Sequence, residues 1–184
     1  MKFKKAYRCV VTGGPGAGKT TTIQELNKKG YLVIDEVARV IVEKALSEGK
    51  EHPAKNRDKF EKDIMHEQIK RERVLDPETI AFLDRGIIDG LIYYELDGLK
   101  SPQDLVEFSK QSSYDVIFFL DFPSEDAYVQ DEIRYETYEE ALKNSVVLER
   151  TYKDLGYSSK IIKVPYMSVS KRVEFILEQL LGLE

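Results

Sequence analysis

Tyr7-Arg8-Cys9-Val10-Val11-Thr12-Gly13-Gly14-Pro15-Gly16-Ala17-Gly18-Lys19-Thr20-Thr21 is the stretch that decides the fold. Residues 7–12 form a short apolar run of strand type, and a helical pattern over 21–29 follows the glycines. Between them, Gly13 to Thr20 fits G-x-x-x-x-G-K-[ST] in full. The chemistry needs each part. Glycines let the backbone wrap with its N–H groups inward, so that a polyphosphate sits in a nest of donors. The helix opening near Gly18 adds its dipole and its free N–H groups to the same anion. Lys19 reaches the β- and γ-phosphates, and the Thr20 hydroxyl completes a Mg²⁺ shell. With glycine at about 7% of average usage, a chance match in a chain of this length is on the order of one in a hundred or rarer. The strand before it and the helix after it lower that further. Gly13, Gly14, Pro15, Gly16, Ala17, Gly18, Lys19, Thr20 and Thr21 are therefore expected to bind a nucleoside triphosphate, ATP or GTP, together with Mg²⁺.

Outward from this loop, apolar β-type runs alternate with helical patterns, which is the signature of an α/β fold with a mostly parallel sheet. The further strands fall at 31–35, 79–84, 115–120 and 160–164. All but the last read as apolar on both faces, as strands covered by helices on each side should. Over 36–46 the apolar residues Ala38, Ile41, Val42 and Ala45 share one helical face, with Glu36, Arg39 and Glu43 opposite. Further helices are expected at 56–75, at 137–155 and after Ser170, a candidate N-cap. The polar, acidic segment 124–136 reads as a mobile element.

The chain has 184 residues, 42% of them hydrophobic, with 33 acidic against 28 basic side chains and a net charge of −5. A single domain of this size buries roughly 70% of its unfolded surface, and no repeat or low-complexity linker divides it, so 1–184 is read as one unit. The acidic balance argues against a nucleic-acid binder. One cysteine, Cys9, excludes a disulfide scaffold, and no apolar run is long enough to span a bilayer. With no signal-peptide pattern at the start, the expectation is a cytoplasmic protein. His52 and His66 stand apart and suggest no metal site.

Two acidic strand ends compete for the metal. Asp35-Glu36 ends the strand at 31–35, one helix and one turn after Lys19, whereas Asp84 ends 79–84 and is followed directly by Arg85-Gly86. The metal-side carboxylate of a P-loop fold lies on a strand beside the P-loop strand and later in the chain. Asp84 is accordingly assigned with Thr20 to Mg²⁺, and Asp35 and Glu36 to a second site across the crevice at the carboxyl ends of the strands. The guanine-reading Asn-Lys-x-Asp and the Asp-x-x-Gly switch of signalling GTPases are absent, and no residues remain for the helical lid domain of ring-forming ATPases.

The blocks Gly13 to Thr20, Asp35-Glu36-Val37-Ala38-Arg39, Leu83-Asp84-Arg85-Gly86-Ile87-Ile88-Asp89-Gly90, Arg134-Tyr135-Glu136 and Glu139-Glu140-Ala141 carry a resemblance in their order. The chain resembles the small P-loop kinase-like domain of NadR-type ribosylnicotinamide kinases and, more distantly, deoxyribonucleoside kinases. The resemblance implies a five-stranded parallel sheet in the order 2-3-1-4-5, helices on both faces, and a short arginine-bearing lid at about 124–136. It also implies roles. Glu36 stands where such kinases carry their general base, with Asp35 its rival and a favourable charge at a helix N-terminus the plainer alternative. Arg39 either orients the acceptor or pairs with Glu43 on the helix surface. Arg85 would neutralise charge on the transferring phosphoryl group. Asp89 holds Arg85, contacts substrate, or sits on a helix surface. Arg134 would be a finger supplied in cis by the lid; it is the only arginine between Pro123 and Arg150, where the family's lids often bring more than one. Tyr93, Tyr94 and Tyr135 are candidates for stacking on a base.

These readings converge on an ATP- and Mg²⁺-dependent kinase for a hydroxyl of a small, nucleoside-like acceptor. Lys19, Glu36, Arg85 and Arg134 are its catalytic group, and Asp35, Arg39 and Asp89 lie on the acceptor side. The alternative is a nucleotide-binding regulatory or trafficking module that hydrolyses ATP or GTP slowly and has no small-molecule acceptor.

Overall fold

The computed structural model describes residues 6–96, 98, 100–128 and 137–183. Five strands form one parallel sheet: β1 (Arg8–Thr12), β2 (Leu32–Ile34), β3 (Ala81–Asp84), β4 (Val116–Leu120) and β5 (Ile161–Val164), in the spatial order β2-β3-β1-β4-β5. This is the order the resemblance implies. The P-loop strand is central, flanked by β3 and β4, and the register sets Val11 level with both Asp84 and Phe118.

Strand alternation splits the core into two layers. Val10, Leu83, Ile117 and Phe119 face one way, onto Met65 of α3 (Arg57–Arg73), Ile92 of α4 (Asp89–Leu96) and Leu148 and Tyr152 of α6 (Tyr138–Tyr152). Cys9, Val11, Phe82, Phe118 and Leu120 face the other way, onto Ile23 and Leu26 of α1 (Lys19–Lys28) and Val173, Ile176 and Leu180 of α7 (Val169–Leu181). Helices on both faces are what make the middle of β1, β3 and β4 apolar on both sides. β2 is apolar as read, but the expectation that helices cover both its faces fails: it is a short edge strand whose Leu32 is exposed.

The remaining helices are α2 (Val37–Ser47) and α5 (Gln103–Gln111). The patterning over 85–111 assigned no element there, yet α4 and α5 both occupy it. The residues of α4, Asp-Gly-Leu-Ile-Tyr-Tyr-Glu-Leu, lack a polar face, so a helical period does not stand out. At the last helix, Ser170 is not the N-cap. The helix starts at Val169, and Ser168 is the cap residue, without a side-chain capping bond. Helix α6 begins on a capping box, where Thr137 Oγ1 accepts from Glu140 N (3.2 Å) and Glu140 Oε2 accepts from Thr137 N (2.8 Å). No helix among the described residues is long and apolar enough to cross a membrane.

Candidate active site

The carboxyl ends of β1, β3 and β2 open onto one crevice, and the loop Gly13 to Gly18 forms its floor. Two glycines there stand at positive φ, which L side chains rarely adopt. Gly16 has φ +83°, and a Cβ on it would stand 2.6 Å from the Tyr128 ring. Gly18 has φ +82°, and a Cβ would stand 2.4 Å from a guanidinium nitrogen of Arg172. Either substitution meets both backbone strain and a clash.

Lys19 is buried, and its Nζ donates to Gly13 O and Gly14 O, each at 2.9 Å. Burial and the neighbouring Arg85 cation lower its pKa to about 8, against the pull of Asp84, Glu36 and Asp89. The Thr20 hydroxyl lies close enough to Asp84 to favour its charged form. Thr21 is exposed and turns its hydroxyl onto Gly18 O (2.9 Å). Asp84 is almost wholly buried, and its Oδ1 has no hydrogen-bond partner among the described residues. Burial first, and Glu36 as a like charge, push its pKa up to about 6 while Lys19, Arg85 and Thr20 oppose the rise. A buried carboxylate oxygen without a donor, next to a threonine hydroxyl and a phosphate loop, suits a Mg²⁺ ion, which takes one or two protein oxygens and completes its shell with phosphate and water. Among the described residues no group of three or more His, Cys, Asp or Glu side chains forms a cage.

Across the crevice, Glu36 Oε1 stands 2.8 Å from Arg85 Nε as an ion pair, without the alignment of a hydrogen bond at that nitrogen. The other side of the guanidinium donates through Nη1 to the Tyr93 hydroxyl and lies 5.7 Å from the Tyr93 ring centroid. Arg85 chiefly, against the cost of burial and with help from Lys19 and Arg39, holds the Glu36 carboxyl below the usual carboxylate range. Burial opposes the Arg85 charge, but Tyr93, Glu36, Asp89 and Asp84 outweigh it and keep the guanidinium protonated. Tyr93 is pushed up to about 12, mainly by burial, and is therefore a neutral phenol.

Arg85 is the one non-glycine residue at positive φ (+72°) among the described residues. Such a conformation costs about 1–3 kcal/mol and persists only where its surroundings over-determine it. Here they do. Arg85 N donates to Val11 O and Arg85 O accepts from Gln68. Gly86 N donates to Asp89, and Ile87 N donates to the Tyr114 hydroxyl, which in turn donates to Glu72. Asp89 is buried and also accepts from Thr12 Oγ1 (2.6 Å) and Tyr152 OH (2.5 Å). The helix-surface alternative for Asp89 is therefore excluded, and its oxygens are engaged in holding this turn.

The structure thus brings Lys19, Thr20, Glu36, Asp84 and Arg85 together, with Asp89 directly beneath them. Asp35 and Arg39 are both exposed at its edge. Arg134 and Tyr135 lie outside the described residues, as does most of the segment expected to form the lid. Tyr94 is buried in the core and offers no stacking face.

Sequence reasoning missed three features. Phe122, Tyr128 and Tyr138 pack ring to ring beside the phosphate loop, with Phe122 against Gly14 and Tyr128 against Gly16. Their spacing follows no helical or strand period, so no local signal marks them. Tyr93 was singled out only as a stacking residue, whereas its hydroxyl holds Arg85. Arg172, inside the apolar pattern of α7, is 3% exposed and donates through Nη1 to Gly18 O and Thr22 Oγ1 (both 3.1 Å) and through Nη2 to Met167 O (3.2 Å). A charged residue at a core-facing helical position was the one available signal for it.

Comparisons with solved structures agree with this architecture. Deoxyadenosine kinase from M. mycoides, solved with dCMP and dCDP, superposes with a TM-score of 0.66 at 19% identity, covering 96% of this chain and 99% of that one. NadR in complex with NR gives a TM-score of 0.67 at 20% identity, covering 95% of this chain and 50% of that one, so the chain spans half the length of NadR. Thymidylate kinase from Candida albicans gives 0.59 at 14% identity, covering 96% and 91%. At these identities the likeness is one of fold, the P-loop kinase fold. No curated protein matches the chain in sequence. The profile of the AAA domain family matches residues 8–172, nearly the whole of the sheet and its helices, and the chain belongs to that family of P-loop domains.

Proposed function

We propose that this protein is a kinase that transfers the γ-phosphoryl group of ATP, with GTP the alternative donor, to a hydroxyl of a small nucleoside-like acceptor. One observation carries the reading: the phosphate side, Lys19 with Thr20 and Asp84, faces a separate charged group, Glu36–Arg85–Tyr93, across the same crevice. Hydrolysis alone needs a single carboxylate for the metal and a positioned water. A second carboxylate, held by an arginine on a different strand, fits an acceptor hydroxyl. That two of the similar structures named above are a deoxyadenosine kinase and a thymidylate kinase supports the same reading.

In this proposal Lys19 leaves the loop carbonyls and takes up the β- and γ-phosphate oxygens. Mg²⁺, held by Thr20 and Asp84, would neutralise charge on those oxygens. Arg85 turns its guanidinium from Glu36 toward the equatorial oxygens of the γ-phosphoryl group, and Arg134 adds a second cation. Freed of its counter-ion, Glu36 becomes a stronger base and accepts the proton of the acceptor hydroxyl. Asp35 and Arg39, at the exposed edge, contact the rest of the acceptor, while Asp89 keeps Arg85 in register. Most of the rate enhancement is then positioning and electrostatics. The buried, unpaired Cys9 is in keeping with a reducing compartment, and we place the kinase in the cytoplasm.

The test is a phosphate-transfer screen of nucleosides, ribosylnicotinamide and vitamin alcohols with ATP and GTP in parallel. Acceptor-stimulated nucleotide consumption is expected. A flat response across the panel overturns the kinase and favours a regulatory module. In calorimetry Lys19→Ala should lose ATP affinity; unchanged binding would mean that the nucleotide does not sit on this loop.

A further inference from the structure

Three consecutive residues of the strained turn after β3 rest on one buried phenol and the groups beside it. Ile87 N donates to the Tyr114 hydroxyl (2.9 Å). Gly86 presses on the same phenol, since a Cβ there would stand 2.8 Å from the Tyr114 oxygen. Arg85 O accepts from Gln68 Nε2 (3.4 Å). Tyr114 and Gln68, both buried, then meet on Glu72 at the end of α3. The phenol donates to the two carboxylate oxygens (3.0 Å each), and the amide donates to Oε1 (2.6 Å).

Glu72 differs from its neighbours on that helix. Asp58, Asp63 and Glu67 pair with Lys62, Lys59 and Arg71, whereas Glu72 has no ion-pair partner among the described residues. Burial pushes its carboxyl above the usual range, against the Gln68 and Tyr114 hydrogen bonds and the Arg8 charge. A desolvated carboxylate costs more than a neutral acceptor in the same place. What it adds is direction. A hydroxyl donates or accepts, but a carboxylate only accepts. Glu72 therefore draws the phenol proton toward itself and leaves a phenol lone pair facing Ile87 N. A neutral amide at position 72 could donate back and would leave that direction open.

The turn held in this way carries Arg85 at φ +72°. A residue in so sparsely populated a conformation relaxes when its supports are removed, and relaxation here would swing the guanidinium away from Glu36. We infer that Tyr114, oriented by Glu72, is a positioning residue that keeps Arg85 aimed into the crevice. The inference rests on the catalytic role proposed for Arg85 above and adds what sets its aim from within the core.

The test uses the full chain and two readouts, one of which needs no turnover. The Arg85 Nε–H signal is assigned by heteronuclear NMR from its loss in Arg85→Lys. Buried beside Glu36, this proton should exchange slowly with solvent in wild type. In Tyr114→Phe its exchange should quicken about tenfold, the scale of one lost hydrogen bond. In the phosphate-transfer assay kcat should fall about tenfold. ATP affinity by calorimetry should stay within about threefold, because the hydrogen bonds of the Tyr114 hydroxyl go to Ile87 and Glu72 and not to the phosphate loop. Lower stability in urea with wild-type exchange and kcat would make Tyr114 a structural support only and overturn the inference. In an active enzyme, so would one readout left at the wild-type value while the other changes. If Tyr114→Phe does not fold, Glu72→Gln carries the test: both readouts should move in the same direction, and unchanged values overturn the inference. Faster exchange in the variant, with wild type itself transferring phosphate to no acceptor, would uphold the placement of Arg85 and overturn the kinase reading instead.

Discussion

Arg85 Nε stands 2.8 Å from Glu36 Oε1, which ties the strained turn after β3 to the end of β2 across the mouth of the crevice. The pair depresses the Glu36 pKa, so its stabilisation is complete above the unfolded carboxylate value of about 4.3 and is lost as pH falls through the lower folded value. Glu36→Gln should therefore be less stable than wild type by about 1–2 kcal/mol at pH 7. The difference should shrink in urea melts run below about pH 4. A gap independent of pH would assign the loss to packing.

The same variant probes the proposed chemistry. Removing a general base typically costs about 10²–10⁴ in rate. Glu36→Gln should lose turnover on that scale in a single-turnover phosphate-transfer assay, with ATP affinity unchanged by calorimetry. Transfer at the parent rate would exclude Glu36 as the base.

Tyr93 donates nothing to the phosphates in this arrangement; it steadies Arg85. Tyr93→Phe keeps the ring under the guanidinium and removes one hydrogen bond. Turnover should fall about tenfold, with the KM for ATP unaltered and the fold intact by circular dichroism. A change in KM alone would point to a binding role instead.

Asp84 carries a buried carboxylate oxygen with no donor among the described residues, a cost the metal-free protein bears for its site. Asp84→Asn should raise the metal-free stability by about 1–2 kcal/mol in urea denaturation and abolish the Mg²⁺ dependence of nucleotide binding. A destabilised variant would show that the carboxylate is already satisfied.

Asp89 collects bonds from Thr12, Tyr152 and Gly86. Asp89→Asn turns one acceptor into a donor among donors. It should cost about 2–4 kcal/mol in urea denaturation and weaken catalysis through the Arg85 turn. A variant of wild-type stability would remove Asp89 from that role.

Legibility in the sequence varied by element. Strands β1, β3 and β4 were plain because both faces are covered, so their central residues are apolar on both sides. Strand β2 misled because an edge strand keeps the same β-branched residues while one side meets solvent. Ser168 and Ser170 offer the same capping chemistry two residues apart, and only the turn after β5 decides where α7 starts. Glu36 and Asp84 were found because a carboxylate directly after an apolar strand is a local pattern.

The phosphate loop and the alternation of strands and helices follow from the sequence by itself, since both rest on backbone geometry and periodicity within a few residues. The assembly of Glu36, Arg85 and Tyr93, the burial of Asp89 among Thr12 and Tyr152, and the bridge from Arg172 to Gly18 were decided only by the tertiary structure. Their partners lie far apart in the chain, and whether a charged side chain is a solvated surface group or a buried hub depends on which strands the sheet makes neighbours. The order β2-β3-β1-β4-β5 supplies that information.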